Sequence, residues 1–184
     1  MGLFDWIKAA IRPKPQMPAL SQAMTDTIAT TVAVCSRQFE QCLGSGIAKL
    51  PYISDFHDDM AATYALGFLQ GSLLSNHADI TWAKGDRGLA DVGWYACAGG
   101  VVTGIFDLSG QDDAAYNRVM SCSNRLPQFR GEQASGDWLK IEMGGGSDAM
   151  ALAQGKPMPK GGYLRIILDA NLTGDQKARI KARL

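Results

Sequence analysis

The sequence has 184 residues, 46% of them hydrophobic and 20% charged, which is enough apolar material for one ordinary core and excludes a disordered chain. Its 18 basic and 18 acidic side chains cancel, but unevenly: 3 against 1 in residues 1–18, 8 against 15 in residues 19–155, and 7 against 2 in residues 156–184. The four cysteines, Cys35, Cys42, Cys97 and Cys122, lack any Cys-x-x-Cys spacing, so they read as buried thiols, with neither a zinc site nor a disulfide framework.

Residues 1–18 form an amphipathic segment and a proline-rich linker. Leu3, Phe4, Ile7 and Ile11 fall on one helical stripe, with Asp5, Lys8 and Arg12 largely elsewhere, and Pro13, Pro15 and Pro18 stop the pattern. The segment lacks the long apolar stretch and small-residue cleavage site of a secretory signal, which makes the cytoplasm the expected location. The opening GLFDWIKAAI resembles the short amphipathic membrane-active peptides of the aurein and citropin type over about a dozen positions, which implies an affinity for membrane surfaces. Leu3, Phe4, Trp6, Ile7 and Ile11 are therefore the expected interaction residues, for a protein partner or for an anionic membrane.

A domain over residues 19–168 is expected to follow. From Ala19 to Leu43 the apolar positions Leu20, Met24, Ile28, Val32, Cys35, Phe39 and Cys42 recur every three or four residues, the signature of a helix with one face on a core, closed by Gly44 and Gly46. A second helix is expected from Asp55 to about Asn76, with Ser54 as its N-cap and Asp55, Asp58 and Asp59 in its first turns. Its uncharged run, Met60 to Ala78, contains Thr63, Gln70, Ser72, Ser75, Asn76 and His77, and so reads as a buried core helix rather than a membrane span.

A third helix is expected from Gly88 to Leu108. Gly93, Cys97, Gly100 and Gly104 give it a small-residue face suited to a crowded intramolecular crossing, with self-association as the alternative. A fourth runs from Asp112 to Leu126, where Tyr116, Val119, Met120 and Ser123 share a face and Pro127 marks the end. Beyond it, Trp138–Met143 and Tyr163–Leu168 alternate in the manner of two short strands, separated by glycines that include Gly144-Gly145-Gly146, which read as a flexible turn. Residues 169–184 close the chain with a basic helix, introduced by the capping box Thr173 and Gln176. The fold expected is mainly α, a single-domain bundle of four to five helices with a small C-terminal β-hairpin as an addition, α+β being the alternative.

For chemistry, Asp55, His57, Asp58 and Asp59 are residue types that bind metal or exchange protons, although an acidic helix start explains them without a ligand. His77 would lie about 30 Å away along one straight helix, too far to join them. The tail side chains Lys177, Arg179, Lys181 and Arg183 suit contact with an anion, but the nearest aromatic residue is Tyr163, so stacking on nucleic-acid bases is not expected. There is no G-x-S-x-G elbow, Walker loop or dinucleotide fingerprint, so catalytic residues stay unassigned, enzyme activity is disfavoured and no cofactor is expected. The leading expectation is a non-enzymatic protein-binding or scaffold module acting through helical surfaces, with self-association included. The alternatives are a peripheral membrane protein docking by its N-terminal segment, and a metal- or small-molecule-dependent enzyme centred on His57.

Overall fold

A computed structural model describes residues 20–49, 51–76, 87–128, 133–157 and 162–171. They form α1 (Gln22–Gly44), a 3-10 turn (Ile47–Lys49), α2 (Pro51–Asn76), α3 (Arg87–Phe106), α4 (Asp112–Gln128), α5 (Gln133–Ala153) and α6 (Gly162–Asn171), with no strand among the described residues. The protein is a mainly α helical bundle. None of the described helices is long and apolar enough to cross a membrane.

Local chemistry explains several of the helix ends. The Ser21 hydroxyl caps α1 by accepting a hydrogen bond from the Met24 N–H, and Gly46, at a φ of 76°, takes the left-handed conformation just past its end. Helix α2 starts at Pro51, four residues before the expected Asp55, because a proline at the first helical position gives up only an N–H that would have no helical partner. Ser54 is thus inside the helix rather than its cap, and Asp55, Asp58 and Asp59 lie beyond the first turn. Helix α4 continues through Pro127 to Gln128, and among its described side chains Ala115, Val119 and Cys122 are buried, while Tyr116 is exposed beside Tyr95.

The expected C-terminal hairpin is replaced by two helices. Six residues of alternation are too few to separate the two periods, and burial over the longer window decides between them. Ile141, Gly145, Asp148 and Ala149 are buried at steps of four, three and one in α5, as are Tyr163, Ile166 and Ile167 at steps of three and one in α6.

Gly144-Gly145-Gly146 is accordingly the middle of a helix and not a flexible turn. A Cβ on Gly145 would collide with the backbone of Tyr64 and Phe68, and one on Gly67 or Gly71 with the backbone of Glu142 or Gly146. Helices α2 and α5 therefore meet backbone to backbone, in the most extensive helix pairing of the bundle. Each glycine costs about 1 kcal/mol of helix propensity, which the additional close contacts offset. A looser version joins α1 to α3, where Gly100 faces Ile28 and Gly104 faces Val32. The small-residue face of α3 is engaged at these two positions in an intramolecular crossing.

Inside the bundle an aromatic cluster links three helices. Tyr163 of α6 packs edge-on against Phe39 of α1 at 4.7 Å between ring centroids and against Tyr64 of α2 at 5.3 Å. The four cysteines are buried, and none is in a disulfide. Burial pushes the Cys42 thiol up to about 11, and burial with the nearby Asp148 charge raises Cys35 as well, so both resist forming the reactive thiolate.

Candidate docking groove

The glycine crossing creates a surface feature. Gly67, Gly71 and Gly146 have no side chains to fill the seam between α2 and α5, so neighbouring side chains stand up on either side of a bare backbone floor. The result is an open groove of about 340 Å³. Leu74 forms one apolar wall and Leu139, Met143 and Met150 the other; they are 68%, 48%, 63% and 42% exposed respectively. Single exposed apolar side chains are ordinary on a protein surface, but four around one concavity are not. Two are methionines, whose flexible thioethers adapt to varied partner surfaces. Gln70, Ser147 and Glu142 complete the lining. Burial raises the Glu142 carboxyl above its usual range, and it has no ion-pair partner among the described residues.

Beneath the seam a polar cluster ties the same helices together from inside. Asp148 of α5 is only 1% exposed; it accepts a 2.8 Å hydrogen bond from the Tyr64 hydroxyl, and its other oxygen lies 3.6 Å from the Arg165 guanidinium of α6. Burial pushes the Asp148 carboxyl up, while the Tyr64 bond and Arg165 pull it down. The Tyr64 hydroxyl also lies 3.2 Å from Oε1 of Gln38, but it has one proton, and the shorter contact to a carboxylate takes it. The same Gln38 oxygen accepts the Tyr163 backbone N–H at 2.6 Å, satisfying a donor in the first turn of α6. Tyr64, Asp148 and Tyr163 are enclosed, and the cluster clamps the helices to one another.

The residues selected from sequence are dispersed by the fold. His57 is half-buried and turns towards α6, its Nδ1 lying 3.2 Å from the Tyr163 hydroxyl; burial lowers its pKa against the opposing effect of Asp58. Asp58 instead faces α4 and pairs with Arg118 at 3.7 Å, while the Arg118 guanidinium also stacks on the Phe106 ring at 4.4 Å. The Asp59 backbone carbonyl accepts the Thr63 hydroxyl, and the side chain of Asp55 is outside the described set. Among the described residues no group of three His, Cys, Asp or Glu side chains is placed to hold a metal. Leu3, Phe4, Trp6, Ile7 and Ile11, His77, and Lys177, Arg179, Lys181 and Arg183 lie outside the described residues.

Sequence reasoning missed both the groove and the clamp. Asp148 had a detectable signal, a lone carboxylate in step with Ile141 and Gly145 on an apolar helical stripe, but the strand reading of Trp138–Met143 hid it. Comparison with protein-family models, with curated proteins and with solved structures finds no match. Geometry and side-chain chemistry carry the functional reading.

Proposed function

We propose that the chain is a non-enzymatic protein-binding module that seats an amphipathic helix, with a basic residue at the edge of its apolar face, in the groove between α2 and α5. The observation that carries this reading is the set of four exposed apolar side chains, Leu74, Leu139, Met143 and Met150, around a floor of glycine backbone. Grooves of this kind accept the apolar anchors of a helix at i, i+3, i+4 and i+7 spacing. Covering a large apolar side chain fully contributes about 1.5 to 3 kcal/mol, so several anchors must be buried together to offset an association cost of about 4 kcal/mol or more. Glu142, half-buried at the groove and unpaired among the described residues, selects a positive charge on the incoming helix.

The test uses a fluorescent amphipathic Leu/Lys peptide, with a Leu/Glu peptide as control, and reads binding by anisotropy. The Leu/Lys peptide binds the wild-type chain better than the acidic one, and Leu74→Glu with Met143→Glu weakens that binding at least about tenfold, equivalent to 1.4 kcal/mol. Both side chains are exposed, so the melting temperature of the variant stays close to that of the wild type. Equal binding to wild type and variant would sink the proposal.

A further inference from the structure

We infer that residues 3–11 of the chain itself occupy the groove, so that a partner helix must displace them; this rests on the reading that the groove accepts an amphipathic, basic helix. The segment meets that specification in its sequence. Leu3, Phe4, Ile7 and Ile11 form one apolar stripe if helical, and Leu3 to Ile11 would span about 12 Å at the usual rise, against about 16 Å from Leu139 to Met150 along α5. On such a helix Lys8 falls at the edge of the stripe, one turn from both Phe4 and Ile11, whereas Asp5 falls away from it.

Charge points the same way. Residues 1–18 carry 3 basic side chains against 1 acidic one, residues 19–155 carry 8 against 15, and Glu142 at the groove has no ion-pair partner among the described residues. The attachment is short. Residues 12–20 connect the stripe to the start of α1 and reach at most about 30 Å when extended, so the segment is held near the bundle at a local concentration on the order of millimolar. A free partner helix competes with that tethered one, and its apparent affinity falls by the fraction of time the groove is closed.

The experiment compares three full-length proteins: wild type, Phe4→Glu with Ile7→Glu, and the same pair with Met143→Glu added. Each is titrated with the Leu/Lys peptide and with a synthetic peptide of residues 1–14, and melting temperatures are recorded to establish folding. Opening the groove by Phe4→Glu with Ile7→Glu strengthens binding of both peptides about tenfold or more relative to wild type, as expected when a tethered competitor is removed. Adding Met143→Glu abolishes that gain.

Equal affinity of wild type and the Phe4/Ile7 variant for the Leu/Lys peptide overturns the inference and leaves the groove reading standing. Failure of both proteins to bind it removes both readings. A gain in affinity that disappears as the protein is diluted assigns the competing segment to a neighbouring copy, and overturns docking within one chain.

Discussion

Asp148 is a carboxylate placed where water cannot reach it, held by one phenol and one guanidinium. Its folded-state pKa is raised above the 3.8 it has in an unfolded chain, so the folded state binds the proton first as pH falls. Its contribution to stability is therefore least favourable at neutral pH, and improves as pH falls through the folded value towards 3.8. Glu142 behaves alike relative to 4.5. His57 works in the opposite sense: its folded pKa lies below 6.5, so the unfolded chain gains the proton first and stability falls as pH drops below that value. Comparing wild type with Asp148→Asn cancels the Glu142 and His57 contributions and isolates Asp148, while asparagine keeps an oxygen for the Tyr64 hydroxyl. Urea unfolding at pH 7 and pH 4 should show wild type gaining stability relative to the variant on acidification. A wild-type-to-variant difference that stays constant with pH would mean that Arg165 and Tyr64 fully compensate the buried charge.

At the scale of elements, glycine has opposite effects at two helical sites. Gly67 in α2 abuts the Glu142 backbone, which cannot move aside as a side chain can, whereas Gly99 in α3 has nothing within 4 Å of a built Cβ. Gly99→Ala should stabilise by up to about 1 kcal/mol through helix propensity. Gly67→Ala should destabilise by about 1 to 3 kcal/mol, since a methyl forced into a closed contact pushes two helices apart. Thermal melts of the two variants moving in the same direction would contradict the backbone-to-backbone crossing. These sites also mark what the sequence made legible. Helices α1 to α4 have long apolar periods, and their existence and order followed from those periods. Helix α5 did not, because three consecutive glycines ordinarily interrupt a helix, and their compensation comes from a partner 75 to 81 residues away in the chain, from Tyr64, Gly67 and Gly71 to Glu142, Gly145 and Gly146. A pairing of that range leaves no local pattern.

At the scale of the whole molecule, the same limit separates the readable parts of the candidate site from the rest. The cluster Asp55, His57, Asp58 and Asp59 is conspicuous because its members adjoin in sequence, yet successive helical residues point in different directions, and His57 and Asp58 serve different neighbours. The groove is assembled from two distant helices whose individual apolar residues look like ordinary core. What unites the bundle is Tyr163, which joins α6 to Phe39 of α1 and to Tyr64 and His57 of α2 and gives its backbone N–H to Gln38. If the helices share this one core, Tyr163→Ala must weaken all of them together. Truncating a large buried aromatic costs about 3 to 5 kcal/mol, which for a chain of this size lowers Tm on the order of 10 °C. Far-UV circular dichroism, reporting helix, and near-UV circular dichroism, reporting aromatic packing, should then fall in one coincident transition in wild type and variant alike, shifted to lower temperature in the variant. If the near-UV signal of the variant disappeared well before its helicity, α6 would be melting as a separate unit, and the remaining helices would hold without the aromatic cluster.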